Sequence, residues 1–208
     1  MTTITSYPAT KRCIRTIYRG DFDSIQKDAK DHNRRVRKYV VATDLSDEAA
    51  HALEWTIGTV LRDGDTLLAI YCVDEELGIA PNDGSADDQT KEQVAAIASS
   101  TRATLSTPIL TATNHPSPLG HGFKLDSPSA SASPMGRERG KAEQERYRAV
   151  QDITDRLTKL LRKTKLQVKV VVEVIHCKSP KHLITEVIDL VNPTLVILGS
   201  RGRSALKG

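Results

Sequence analysis

Lys38-Tyr39-Val40-Val41-Ala42-Thr43-Asp44-Leu45-Ser46 is the stretch on which the reading of this chain turns. Tyr39 to Thr43 is a short apolar run rich in β-branched side chains, the composition of a strand buried on both faces of a parallel sheet, and it stops at an aspartate. Leu45-Ser46-Asp47-Glu48 then opens a helix: Ser46 is placed to cap free amides, and the two acids suit the positive end of the helix dipole. Ala49, Ala50, Leu53, Ile57, Val60 and Leu61 fall within about a third of the helical circumference and form a face for the sheet. Trp55 lies off that face, and another segment is expected to cover it.

Downstream, Asp63-Gly64-Asp65 makes a turn and Thr66 to Val73 reads as a second buried strand. Residues 74–90 then carry six acids and no Lys or Arg, and half of residues 101–140 are Ser, Thr, Pro or Gly. Such a stretch buries too little apolar surface to offset ~1–2 kcal/mol of backbone ordering per residue. Residues 75–140 are therefore expected to be a low-complexity insertion, mostly disordered, with local helix around Lys91–Arg102. Periodicity returns in a charged helix over 141–164, where Tyr147, Val150, Ile153, Leu157, Leu160 and Leu161 repeat at three- and four-residue steps. A third strand over 167–175, a helix opened by Ser179-Pro180 and running to 191, and a fourth strand over 194–199 complete the pattern. Strands near 38–44, 66–73, 167–175 and 194–199 alternating with helices near 46–62, 141–164 and 180–191 predict a doubly wound parallel α/β sheet with right-handed crossovers. Ligands of such sheets bind at the carboxyl ends of the strands.

Upstream, residues 1–35 show no sustained periodicity and read as a basic arm, mostly disordered, with Ile14, Ile17 and Tyr18 on one face of a short helix at most. Of the formal net charge of +4, residues 1–38 hold ten Lys/Arg against four Asp/Glu, +6, which leaves −2 for the remainder. The basic character thus belongs to the arm, and with aromatics at 4% the folded part lacks the basic stripe and interleaved rings of a nucleic-acid binder. The first twenty residues contain four basic side chains, six Ser/Thr and no acid, the composition of a mitochondrial transit peptide; the cytoplasm is the expected compartment and the mitochondrion the alternative. A length of 208 residues allows one domain with appendages, and 38% hydrophobic residues leave part of it outside any core. No apolar run approaches the ~20 residues that span a bilayer. Cys13, Cys72 and Cys177 lie far apart in sequence, an odd number without a C-x-x-C pair, which supports neither a disulfide framework nor a zinc site.

Three features meet at the carboxyl edge: Asp44 after the first strand, Tyr71-Cys72-Val73-Asp74 at the end of the second, and Gly199-Ser200-Arg201-Gly202 after the fourth. A glycine turn directly beyond a buried strand lets backbone amides approach an anion with no β-carbon in the way. Glycine also ends strands for steric reasons, and a carboxylate at Asp44 suits a ribose, a metal, a phosphoryl group or a helix start alike. Together with the run Lys38–Ser46, the Ala-rich helix bearing Trp55, Ser179-Pro180, and Asn192-Pro193-Thr194 leading to the last strand and Gly199–Ser204, they resemble the universal stress protein family.

The resemblance covers roughly 36–74 and 141–208. It implies a five-stranded Rossmann-type parallel sheet and, usually, a homodimer. In one branch it also implies ATP or AMP, with Mg optional, bound through G-x-x-G followed nine residues later by G-S/T. Carried over, Asp44, at the end of Ala42-Thr43-Asp44, faces the ribose, and the backbone near Cys72 faces adenine. Gly199 approaches the ribose and Gly202 the phosphates, with Ser200 and Arg201 inside that turn. The second glycine pair would begin at 212, beyond Gly208, and the last helix and fifth strand are also missing from the pattern, so the phosphate cradle is expected to be half present.

Two other classes stand beside this one: a scaffold on the same fold without nucleotide affinity, and an enzyme using His176 or Asp44. No nucleophile, base and orienting group can be assembled for the latter from spacing. Thr107-Pro108, Ser117-Pro118, Ser127-Pro128 and Ser133-Pro134 are candidate sites for a proline-directed kinase. Phosphates there would attract Arg34, Arg35, Arg37 and Lys38, making arm and insertion a regulatory pair across the nucleotide site.

Overall fold

A computed structural model describes residues 2–74, 86–106 and 134–199. The four parallel strands read from the sequence are present: β3 (Lys38–Ala42), β4 (Thr66–Asp74), β5 (Lys169–Cys177) and β6 (Leu195–Leu198). β4 runs parallel to both β3 and β5, and β3 parallel to β6. Ser46 caps α2 (Asp47–Trp55) as expected, its side chain accepting from the Ala49 amide at 3.2 Å. The helix continues as a π-helical turn over Thr56–Val60, where the Leu61 amide reaches back five residues to the Thr56 carbonyl.

The N-terminal arm is not disordered. It forms β1 (Thr5–Tyr7), β2 (Arg12–Tyr18) and α1 (Phe22–Asp31), and β2 pairs antiparallel with β5 over seven residues, so the full sheet has the order β1-β2-β5-β4-β3-β6. Cys13, Ile14 and Ile17 enter the core from alternating sides of β2. The three- and four-residue spacing of Ile14, Ile17 and Tyr18 imitates a helix face because Arg15 and Thr16, also in the strand, interrupt the apolar run. α1 lies at the amino ends of β4 and β5, where Gln26 donates to the Gly64 carbonyl and Gln167 accepts from the Asp21 amide at 2.9 Å.

The insertion is likewise ordered over part of its length. α3 (Ala86–Ser106) is a long helix where only a short one around 91–102 was expected, and it packs beside α5 (Pro180–Val191). Its Val94, Ile97, Ala98, Thr101 and Leu105, at helical spacing, are buried on one face. Burying Val, Ile and Leu side chains is worth ~1.5–3 kcal/mol each, a local gain that the average composition conceals. Residues 75–85 and 107–133, with Thr107, Ser117, Ser127 and Ser133, lie outside the described residues.

One face of the sheet is covered by α2 and α4 (Pro134–Arg162), the other by α3 and α5. The sheet is therefore wound on both sides, with the added antiparallel strands at one edge. At the opposite edge β6 exposes Leu195 and Leu198, and Trp55, expected to be covered, is 45% exposed.

The basic residues preceding β3 sit at the amino end of the sheet. Arg37 pairs with Asp65 at 2.9 Å, Arg34 with Asp28, and Lys38 donates to the Val191 carbonyl at 3.4 Å. Arm and insertion do meet, but around β5, where Arg12 and Thr101 both reach Glu173. β3 and β4 stand between that junction and β6, and the Ser/Thr-Pro sites expected to pair with Arg34, Arg35, Arg37 and Lys38 across the nucleotide site lie outside the described residues.

Candidate functional site

The chain leaves β3 through Thr43, whose amide donates to the Ile70 carbonyl at 2.9 Å. Leu45 follows in the left-handed region at φ +65°, an unusual conformation for a branched residue. The Leu45 amide donates to Thr43 Oγ1 at 3.3 Å, and Asp44 Oδ1 accepts from both the Ser46 amide, at 3.0 Å, and the Ser46 hydroxyl. Ser46 thus fixes the Asp44 carboxylate and caps α2 at once. These bonds hold a sharp strand-to-helix turn that keeps a half-buried carboxylate at the carboxyl edge.

Gly199 reaches the same turn from β6, since Ala42 pairs with Leu198 in the parallel register. A β-carbon on Gly199 would lie 3.2 Å from the Ala49 amide nitrogen and 3.3 Å from the Glu48 carbonyl carbon, so the backbone of this segment packs directly on the first turn of α2. A β-carbon there would push the two backbones apart by a few tenths of an ångström. On the other side of β3, Cys72 lies opposite Ile175, two residues beyond the last β3–β4 pair. Its thiol is pushed well above the usual cysteine range by a hydrogen bond with Cys177 and by burial, and it stays protonated at neutral pH.

The structure therefore brings Ala42, Thr43, Asp44, Cys72 and Gly199 to one edge. Ser200, Arg201 and Gly202 lie outside the described residues. The helices that follow β3 and β5 leave on opposite faces of the sheet, which makes the β3–β6 boundary its topological switch point. Beside that edge a hollow of about 540 Å³ runs between α2 and β6, lined by His51, Trp55, Leu198 and Gly199 among others. The periodicity that placed Trp55 off the sheet-facing side was the signal for this hollow.

His176 is buried near the end of β5, with Nδ1 2.9 Å from Arg146 Nη1 and Nε2 3.4 Å from Glu145 Oε2. It packs against α4, two strands from Asp44, so these two residues do not form one site. Among the described residues no group of three His, Cys, Asp or Glu is arranged to hold a metal, and no helix is long and apolar enough to cross a membrane.

Fold and edge define a doubly wound α/β protein with a carboxylate and a close-packed glycine at its switch point. The universal stress protein family model matches residues 35–118 and 123–208, and the chain belongs to that family, a stress-response type of protein. It is similar to the uncharacterised protein C167.05 of Schizosaccharomyces pombe, with 33% identity over 201 residues, covering 97% of this chain. The chain spans 24% of the length of that relative. No solved structure matches it.

Proposed function

We propose that the chain is a regulatory nucleotide-binding module of the stress response that holds an adenine nucleotide, ATP or AMP, at the carboxyl edge between β3 and β6. The observation that carries the reading is Asp44: its carboxylate is fixed by Ser46 at the switch point and stands beside a glycine whose backbone packs on the start of α2. A carboxylate held at that position suits a ribose hydroxyl pair. The amides that follow Gly199 would meet the phosphates, and any Mg would accompany those phosphates.

Isothermal calorimetry with ATP and AMP tests this on the wild type, Asp44→Ala and Asp44→Asn. Asp44→Ala is expected to weaken binding by about 1–3 kcal/mol through loss of a charged hydrogen bond. Asp44→Asn keeps an oxygen for the Ser46 amide, so it preserves the turn and isolates the loss of charge. Equal affinity in all three proteins removes Asp44 from the site. No binding by a folded wild type favours the scaffold reading, in which the fold remains and nucleotide affinity is absent.

A further inference from the structure

We propose that Cys72 and Cys177 form a two-thiolate site for one soft monovalent cation, copper(I), on the sheet face covered by α3 and α5. The site does not draw on the nucleotide reading, which uses the backbone near Cys72 and not its sulfur. In the β4–β5 register Cys72 lies opposite Ile175 and Asp74 opposite Cys177, so the two cysteines are diagonal neighbours. Residues two apart on a strand share a face, and both cysteines pack in one core cluster with Ile70 and Ile175. Their thiols hydrogen-bond with one another. Cys13, by contrast, is buried in the cluster of the opposite face.

The spacing sets the chemistry. Diagonal neighbours on a sheet stand ~7–8 Å apart at Cα, at or beyond the ~7 Å past which a disulfide needs backbone movement. An ion between the sulfurs relaxes that limit, because two metal–thiolate bonds of ~2.3 Å span up to ~4.6 Å. Zinc needs more: its structural sites take four protein ligands and its catalytic sites three. Among the described residues no third His, Cys, Asp or Glu is grouped with the pair to hold a metal. Thiolates without harder donors select soft ions, copper(I) among them. Binding exchanges protons for the cation, with no change of oxidation state: one Cu+ and two thiols give a copper dithiolate anion and two protons. Glu173, on the same strand face as Cys177, would oppose that negative charge, but Arg12 pairs with it at 2.8 Å. Cys72 is half-buried at the carboxyl edge of the sheet, which gives an ion a way in, and Cys177 is buried behind it.

The test is a competition titration of the full chain against the copper(I) complex of bicinchoninate, in air-free buffer with ascorbate and no added thiol. The protein is expected to take one copper per chain from the chelator, and X-ray absorption of the product should show sulfur neighbours alone, two per copper. Cys72→Ser and Cys177→Ser should each weaken binding at least about a hundredfold, since loss of a group that merely supports a metal ligand already costs ~10–100-fold. Cys13→Ala, on the other face, should hold copper as the wild type does, and circular dichroism should show all three variants folded. Zinc(II) in excess should not displace the copper. The proposal is overturned if the folded wild type takes no copper from bicinchoninate, if either serine variant binds as tightly, if Cys13→Ala loses the metal, if zinc competes on equal terms, or if one copper is shared by two chains.

Discussion

The two edges of this sheet are built on opposite principles. At the β6 edge a four-residue strand, a left-handed leucine and a close-packed glycine make a turn whose geometry is tight but whose cover is thin, with Leu198 and Trp55 exposed. At the β1–β2 edge, segments with the composition of disordered chain are joined to β5 by buried polar contacts. Arg12 lies between the Tyr7 ring and Glu173, Glu173 also meets Thr101, and Lys169 Nζ donates to the Thr104 and Leu105 carbonyls at the end of α3. Arm and insertion depend on each other: β2 widens the sheet and α3 covers the added width. The comparison separates an edge whose tight turn is proposed to serve binding from one where partnership serves stability, and substitutions at each should read out differently.

The largest effect is expected at Arg12. Replacing it with Met leaves the fully buried Glu173 without its guanidinium, and breaking a buried pair in this way costs ~3–5 kcal/mol. Urea unfolding of Arg12→Met and of the double variant Arg12→Met, Glu173→Leu reads it. The double variant should recover most of the loss, because two apolar side chains remove the unpaired charge and also the buried Glu173 Oε2, which has no hydrogen-bond partner among the described residues. Equal stability of Arg12→Met and wild type would detach the arm from the core.

Lys169 gives the next effect, and it appears as a pH dependence. Burial lowers its pKa from 10.5 to about 8, with Asp23 opposing the shift. Between those values the unfolded chain binds more protons than the folded one, so stability from this group rises with pH across that window, by roughly 2 kcal/mol; below it the charged form carries the penalty. Lys169→Met should flatten the rise between pH 8 and 10 in the same urea experiment. An unchanged slope would show that the ammonium is not desolvated at the end of α3.

The parallel strands and their helices were legible because each carries its own signal: continuous β-branched runs, a Ser46 cap, a Pro180 start. Asp44 and Gly199 were legible as edge residues for the same reason. β2 was not, and α3 only over 91–102, since neither is apolar enough to be ordered alone. Arg12 reads as a solvated charge until Glu173 stands opposite it, and Thr101 reads as a linker residue until the stripe from Val94 to Leu105 finds a sheet face. Counting Val94, Ile97, Ala98, Thr101 and Leu105 at steps of three and four would have found α3, but only a partner 72 residues away gives Thr101 its role.

At the other edge, Ser46→Ala removes the α2 cap and the hydroxyl bond to Asp44, for a loss of about 1 kcal/mol in thermal or urea unfolding. A loss well above this would mean that the turn also carries fold stability.

Gly199→Ala is the smallest change for stability and sharpens the contrast most. Its β-carbon would meet α2 backbone at 3.2 Å, closer than ordinary van der Waals contact. In a closed core such overpacking costs ~1–3 kcal/mol, but β6 is a short edge strand with exposed Leu195 and Leu198 and can move aside, so about 1 kcal/mol or less is expected. That same movement shifts the strand end away from Asp44. Under the nucleotide reading, ATP affinity should therefore fall about tenfold or more, some 1.4 kcal/mol, in a protein whose unfolding midpoint barely changes. Calorimetry and unfolding on one preparation decide it. If the variant loses several kcal/mol of stability, β6 is as rigid as β5 and the two edges are not different in kind; if it keeps both stability and affinity, the close approach of Gly199 does not serve binding.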